Sequence, residues 1–230
     1  MVFIIRDNMT YEGFRLKVSK YWRKGFAQAR QKKLLGKDFT IISNNCWGGM
    51  IYESYNLPKN SPTVGLFFFA EDYICFLKDL KGFVTAPLKF IRPEDSKWKT
   101  RPELVNDKRF GHYPICQLST GGGTVEIFFL HYHSEREAQE KWERRCNRIN
   151  WDRILVKFND QNGATQETLD EYLRIPYDKL FFTCKEWERM TSDCFVIPQP
   201  SFYKTITASH EPFGKSRYVD ITEKINTLYK

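Results

Sequence analysis

From residue 39 onward, short apolar runs alternate with helical patterns, and this alternation restricts the fold more than any other feature of the chain. Strands that alternate with helices need crossover connections, which build a largely parallel sheet. The pattern predicts strands over 39–43, 64–69, 115–118, 124–130, 154–158, 180–183 and 194–197, and helices over 71–81, from Ser134 onward and over 165–173. We therefore expect an α/β fold with a mainly parallel sheet flanked by helices, in a single domain over residues 38–230.

Three local signals refine this pattern. The runs on either side of the glycine triplet 121–123 predict a hairpin. Ser134 and Glu137 form a capping box, which marks the start of a helix. Gly82 follows the apolar stripe of the helix over 71–81, so we expect that helix to end there.

The N-terminal segment carries the basic character of the chain. Nine lysine and arginine residues and no acidic residue lie between Arg15 and Lys37, whereas the net charge of the whole chain is +8. Apolar side chains recur there at helical spacing, so the sequence predicts one helix over 10–35 with Thr10 as its N-cap. We expect residues 1–37 to form a basic amphipathic helix packed on the body of the protein.

Three interpretations fit this helix. It can be an ordinary packed helix with a solvated basic face, or an interfacial helix in peripheral contact with an anionic membrane. A nucleic-acid module is disfavoured, because no binding motif accompanies the basic residues. The aromatic residues Phe14, Tyr21, Trp22 and Phe26 decide between the first two, since they can enter lipid only if the domain does not bury them.

Composition excludes several classes of protein. No stretch approaches 18 apolar residues, so no membrane-spanning helix is expected. The first residues lack the length and basic start of a signal peptide, so we expect a cytoplasmic protein with six free cysteines, located at the inner membrane face if the first helix is interfacial. Closely spaced ligand pairs are missing apart from His131 and His133, so no structural metal is expected, and we predict no cofactor.

The first candidate for chemistry is the segment Ser43–Gly49, which directly follows the apolar run 39–42. In open α/β sheets, ligands bind beyond the carboxyl ends of the strands. Cys46 is the candidate nucleophile, because it precedes Gly48 and Gly49, whose backbone amides can stabilise an anion. The alternative is that Cys46 is a small core residue beneath the loop.

Polar residues follow the other predicted strands as well. If the strands are parallel, these residues meet at one edge of the sheet, where His131 would act as the base for Cys46 and Asp160 as the orienting group. We expect Asn44, Asn45, Cys46, Trp47, His131 and Asp160 to line one pocket. The alternatives are that the histidines are core residues with satisfied hydrogen bonds, or that His131 and His133 form a metal pair completed by Asp160 or Cys46.

Amide side chains and an indole ring suit the hydroxyls and rings of sugars. The predicted substrate-binding residues are Ser43, Asn44, Asn45, Trp47, Gly48, Gly49, Thr63, Asp72, His133 and Asn159. The alternative for the asparagines is turn chemistry, because asparagine tolerates left-handed backbone conformations and caps helices.

Several stretches of the chain resemble one bacterial family. They are 40–49, 61–67, 72–73, 129–132, 141–145, 148–150 and the polar turn that contains Asn159, Asp160 and Gly163. On these stretches the chain resembles the DUF1919 family over about residues 38–220, and the most distinctive of them is Thr40–Gly49.

The resemblance implies a three-layer α/β fold and a role in assembling cell-surface polysaccharide, because members of that family are often labelled exopolysaccharide biosynthesis proteins. It carries over no catalytic residue. We predict a transferase that acts on a glycan or on its nucleotide-linked or lipid-linked precursor, either by acyl transfer through Cys46 and His131 or by direct transfer with His131 as base. The alternative is a non-catalytic carbohydrate-binding or scaffold protein of the assembly machinery.

Overall fold

The computed structural model describes residues 11–230, with side chains from residue 17 onward. Thr10, which was predicted to cap the first helix, lies outside the described residues, as does the side chain of Phe14. In chain order the elements are α1 (Tyr11–Gly25), α2 (Ala27–Gln31), β1 (Thr40–Ser43), α3 (Trp47–Ser54), α4 (Ala70–Lys78), α5 (Leu80–Thr85), β2 (Lys89–Ile91), α6 (Pro102–Val105), β3 (Ile115–Thr120), β4 (Gly123–Phe128), α7 (Glu135–Cys146), β5 (Ile154–Asn159), α8 (Gln166–Leu173), β6 (Asp178–Thr183), β7 (Cys194–Val196) and α9 (Ile221–Asn226).

Four strands form a parallel sheet in the order β1-β5-β6-β7. β1 pairs with β5 so that Ile41 lies opposite Leu155. Every residue of β1 and β5 is buried, as expected of strands that are covered on both faces. The prediction of an α/β fold with a mainly parallel sheet is confirmed.

Helices cover both faces of this sheet. On one face, side chains of α4, α7 and α8 pack on Ile42, Val156 and Phe158. On the other face, side chains of α3 and α9 pack on Ile41 and Leu155. Because successive strand residues point to opposite faces, β1 and β5 contribute to both cores, and a three-layer arrangement results.

The predicted hairpin is present, but it lies in a second sheet. β2, β3 and β4 form an antiparallel sheet in that order. The turn between β3 and β4 ends at Gly123, whose φ of +135° favours glycine. The expectation that the run 124–130 is a strand of the parallel sheet is therefore wrong, because β4 pairs with β3 in the antiparallel sheet.

The apolar run 64–69 is not a strand, contrary to prediction. Gly65 has a φ of +81°, a left-handed conformation that interrupts an extended run. Beyond it, Phe67 forms an isolated antiparallel bridge with Phe128. The N–H of Phe68 donates to the carbonyl of Asn44 at 3.0 Å. The segment therefore connects the end of β1 to the second sheet.

The helix predicted over 71–81 is divided into two. α4 ends at Lys78, and α5 starts at Leu80 because the Asp79 carboxylate accepts a hydrogen bond from the N–H of Gly82 at 3.2 Å and caps it. Gly82 thus lies inside α5 and does not end a helix. The start of α7 is as predicted, since Oγ of Ser134 accepts from the N–H of Glu137 at 3.2 Å.

The N-terminal segment is also not one continuous helix. α1 ends at Gly25 and α2 begins at Ala27, with Phe26 between them at φ −108° and ψ 13°. Glycine is a poor helix former, which explains the break at this point. The Arg30 guanidinium donates to backbone carbonyls in the last turn of α1 and, through Nε, to the carbonyl of Ser54 at 2.8 Å. Arg30 therefore ties the end of α1 to the end of α3.

Candidate functional site: a basic cleft above a buried polar cluster

Cys46 and His131 line one open cleft of about 490 Å³. Cys46 directly precedes α3, and His131 follows β4 in a turn whose backbone returns to the start of the 64–69 segment. The N–H of His131 donates to the carbonyl of Gly65 at 3.0 Å, and this bond holds the histidine beside the loop that carries Cys46. The two residues predicted as base and nucleophile therefore share a cavity.

Cations surround this cavity, which we call the basic cleft. Its positively charged lining residues are Lys20, Arg23, Lys24, Lys59, Lys141 and Arg145. Glu53 is the acidic residue among the lining side chains, and it pairs with Lys59 at 3.2 Å. The cleft therefore carries a large positive excess and favours an anionic ligand.

Arg145 forms part of the wall of the basic cleft. The residue is 8% exposed, and its guanidinium donates to the carbonyl of Val64 at 3.1 Å and to the hydroxyl of Tyr132. Lys141, one turn earlier on α7, pairs with Glu137. The contacts of Arg145 fix α7 against the cleft, so the fold itself places these cations in the wall.

His131 is suited to accept a proton at neutral pH. Partial burial lowers the pKa of His131, and the positive charges of Arg109 and Lys59 lower it further. The imidazole is therefore neutral near pH 7, which is the form that a general base requires. Its side chain remains exposed at the cleft.

Cys46 has the opposite character. Burial raises the pKa of the Cys46 thiol to about 11, although the charge of Lys157 partly opposes this rise. At neutral pH the sulfur is a thiol, and a thiolate is the form that attacks. The geometry therefore places Cys46 at the cleft but does not activate it.

Beneath the cleft lies a second group of polar residues, which we call the buried cluster. It consists of Asn44, Asn45, Lys157, Asn159 and Glu211. Nζ of Lys157 lies 2.6 Å from Oε1 of Glu211, and both side chains are completely buried. Burial lowers the pKa of Lys157 and raises that of Glu211. The charge of each partner opposes the shift of the other.

The asparagines complete the coordination of this ion pair. Nζ of Lys157 donates to Oδ1 of Asn45 at 3.0 Å, and Nδ2 of Asn159 donates to Oε1 of Glu211 at 2.8 Å. Nδ2 of Asn44 donates to Oδ1 of Asn159 at 2.8 Å. The amides predicted to hold sugar hydroxyls are therefore occupied inside the protein, where they compensate buried charge.

Asp160 is likewise held by backbone and hydroxyl donors. Its Oδ1 accepts from the N–H of Ile206 at 2.7 Å. Its Oδ2 accepts from Oγ1 of Thr183 at 2.8 Å and from the N–H of Cys184 at 3.0 Å. The carboxylate thus joins the ends of β5 and β6 to the segment that follows β7, and these contacts do not include His131.

Trp47 and the two glycines that follow belong to α3. Trp47 is fully buried, and its Nε1 donates to the carbonyl of Pro212 at 2.7 Å. A Cβ atom at Gly49 would lie 2.9 Å from Cγ1 of Val64, so this glycine allows close packing of the helix. Ser43 and Thr63 are also buried, with the N–H of Ser43 donating to Oγ1 of Thr63 at 3.0 Å. Gly48, like Gly49, allows close packing of α3, in this case against Ile41.

The two remaining predicted residues lie elsewhere. Asp72, on α4, accepts from Nε1 of Trp98 at 2.6 Å and from the N–H of Glu126 at 3.0 Å, and it pairs with Lys97. His133 is exposed directly before α7, and its N–H donates to Glu137 at 2.8 Å. Neither residue lines the basic cleft.

Sequence reasoning missed the ion pair and the cationic wall. A signal for Lys157 exists, because it stands in the apolar strand 154–159, and a lysine in a strand buried on both faces needs a partner. Glu211 gives no such signal, because it comes from the irregular segment between β7 and α9.

Within residues 11–230, no helix is long and apolar enough to cross a membrane. Among the same residues, no three His, Cys, Asp or Glu side chains are grouped in a way that could hold a metal ion.

Comparison with known proteins identifies relatives of this chain. The model of the domain of unknown function DUF1919 matches residues 17–228. An uncharacterized protein of Haemophilus influenzae is 31% identical over 180 residues, which cover 78% of this chain and 78% of the relative. The matched region contains both the basic cleft and the buried cluster, and the chain belongs to the DUF1919 family.

Proposed function

We propose that this protein is a transferase that binds a phosphate-bearing glycan precursor in the basic cleft and transfers a group from it to a sugar hydroxyl. The observation that carries the proposal is the surplus of cations around a neutral histidine in one cavity. Lysine and arginine are the residues that bind phosphate groups. The glycan part of the proposal rests on the family resemblance described above.

The arrangement supplies two parts of such a reaction. The acceptor hydroxyl loses its proton to the neutral His131 while its oxygen forms a bond to the transferred group. The bond between that group and the phosphate oxygen breaks, and the phosphate leaves with the electron pair and remains among Lys59, Lys141 and Arg145. Direct transfer of this kind needs no thiolate. A protonated Cys46 disfavours the alternative route through an acyl-enzyme.

Binding is tested first, with pyrophosphate and nucleotide sugars as probes in titration calorimetry. The variant Lys59→Gln/Lys141→Gln removes two cations from the body side of the cleft, and we expect its affinity to fall at least tenfold, which corresponds to about 1.4 kcal/mol. The control Lys78→Gln/Lys81→Gln removes the same charge from α4 and α5. Equal losses in both variants would show that only overall charge matters, and the cleft would lose its assignment.

Catalysis is tested with two histidines that are two residues apart. His131→Gln should abolish transfer from nucleotide sugars while pyrophosphate still binds, because the cations remain in place. His133→Gln, on an exposed residue outside the cleft, should retain transfer. A wild-type protein that binds the probes and transfers nothing across a panel of donors and acceptors would favour the non-catalytic binding protein.

A further inference from the structure

The outward face of α1 is aromatic. Tyr21 is 76% exposed and Trp22 52% exposed, and Val18 in α1 and Phe26 just after it are exposed as well. The rings of Trp22 and Phe26 stack with centroids 5.0 Å apart. A surface helix of a globular protein normally turns its apolar stripe to the core. In α1, Tyr21 points away from the core, and Trp22 lies on a flank of the helix, where it is half exposed and borders the segment that contains Phe213.

The inward face of α1 is polar. Ser19 and Arg23 are one turn apart and half-buried, and Nη1 of Arg23 donates to Oγ of Ser19 at 3.4 Å. Nε of Arg23 is fully enclosed by protein. Tyr21 is two residues from each of them, so it lies on the opposite side of the helix. The Arg23 guanidinium also lies over the ring of Phe213, 6.0 Å from its centroid. Together with the Arg30 contacts at its end, this shows that α1 contacts the body through cationic side chains.

Lysines border the aromatic face. Lys17, Lys20 and Lys24 recur at helical spacing, and all three are exposed. An exposed face with Tyr and Trp next to a row of lysines is typical of helices that lie in the plane of a membrane. The rings occupy the headgroup level, and the ammonium groups attract anionic lipid.

We propose that α1 docks on an anionic lipid bilayer, with Tyr21 and Trp22 entering the headgroup layer. Charge complementarity favours a lipid surface, because a bilayer receives the aromatic rings and the lysines in a single plane. Lys20 and Lys24 also line the basic cleft, so docking would bring the cleft to the membrane surface. Only that last consequence rests on the proposed function: the cleft would then receive a lipid-linked precursor.

The test is cosedimentation of the full chain with vesicles at low ionic strength. We expect binding to vesicles of 30% phosphatidylglycerol in phosphatidylcholine, weaker binding as salt is added, and little binding to pure phosphatidylcholine. The variant Tyr21→Gln/Trp22→Gln should bind the anionic vesicles at least tenfold more weakly. Phe202→Gln is the matched control, because Phe202 is 74% exposed and lies far along the chain, and it should bind as the wild type does.

Three outcomes would overturn the proposal. They are a full chain that does not bind anionic vesicles, a double variant that binds as well as the wild type, and a wild type that binds neutral vesicles equally well. Loss of vesicle binding in Lys59→Gln/Lys141→Gln, with full binding in Tyr21→Gln/Trp22→Gln, would assign lipid recognition to the cleft instead. Pyrophosphate affinity should be unchanged in Tyr21→Gln/Trp22→Gln, so this test fails or succeeds independently of the proposed function.

Discussion

The buried cluster and the basic cleft both contain cationic nitrogen, and they differ in what balances the charge. In the buried cluster, Lys157 has a carboxylate at 2.6 Å and an amide oxygen at 3.0 Å, and its side chain is completely buried. In the basic cleft, six cations line the cavity together with one acidic residue, Glu53. The charges of the buried cluster balance one another, whereas the basic cleft carries an excess of positive charge.

This difference separates two roles for polar residues in neighbouring parts of the molecule. A buried charge without a partner costs several kcal/mol, so folding selects the compensation seen around Lys157. Lysines at the surface cost the fold little, so folding alone does not explain why α1, α7 and the segment after α3 gather them around a single cavity. We therefore assign the buried cluster to stability and the basic cleft to binding.

The largest expected effect comes from breaking the ion pair of the buried cluster. Glu211→Ala leaves Lys157 buried without its carboxylate and removes the acceptor of the Asn159 amide. We expect the free energy of unfolding to fall by about 3–5 kcal/mol. Urea denaturation followed by circular dichroism measures the change.

A surface pair provides the control for this experiment. Glu171 pairs with Lys78 at 3.0 Å, and both side chains are about half exposed. Glu171→Ala should cost at most about 1 kcal/mol, because solvent screens the pair. The double variant Lys157→Met/Glu211→Leu should recover much of the loss, since it leaves no buried charge. A cost in Glu211→Ala no larger than in Glu171→Ala would contradict the assignment of the cluster to stability.

The sequence predicts the parallel sheet well, because each strand is a local pattern. β1, β5, β6 and β7 all lie within two residues of the predicted runs. The run 64–69 fails because apolar content does not report the left-handed conformation of Gly65. A local pattern also does not show which sheet an apolar run joins, and the run 124–130 belongs to the second sheet.

The candidate site is predicted less well, because position at a strand end does not determine burial. His131 lies in the cleft although its strand belongs to the second sheet, since its backbone bonds to Gly65. Asn44 and Asn159 lie at strand ends as expected, but they contact the ion pair of Lys157 and Glu211. Because these two residues are far apart in the sequence, local patterns do not predict their contact. Buried charges are compensated by contacts between residues that are distant in the sequence, and local residue spacing does not predict such contacts.

A smaller effect on stability is expected from Asp160, which the sequence predicts as a catalytic residue. Asp160→Asn replaces one acceptor oxygen by a donor, so either the N–H of Ile206 or that of Cys184 loses its partner. We expect the free energy of unfolding to fall by about 1–3 kcal/mol. The affinity of the basic cleft for pyrophosphate should stay unchanged. Wild-type stability combined with lost transfer would instead support a catalytic Asp160.

The smallest effect on the free energy of unfolding near neutral pH is expected from the ionisation of Cys46, because this effect appears only at high pH. The Cys46 pKa of about 11 in the folded protein lies above the ordinary value of 9.0. The folded state therefore holds the thiol proton more tightly than the unfolded state does. The resulting stability is fully present below pH 9 and is lost as the pH rises through 11, with a slope of at most about 1.4 kcal/mol per pH unit.

Two measurements follow from this pKa. Mass-spectrometric mapping of iodoacetamide labelling should find Cys46 almost unmodified at pH 7, with a rate that rises about tenfold per pH unit toward 11, because only the thiolate reacts. Cys46→Ala should keep the transfer activity that His131→Gln loses. Rapid labelling of Cys46 at pH 7, together with loss of transfer in Cys46→Ala, would move Cys46 into the reaction and restore the acyl-enzyme route, because a sulfur with a pKa of about 11 is almost entirely a thiol at pH 7 and only the thiolate reacts.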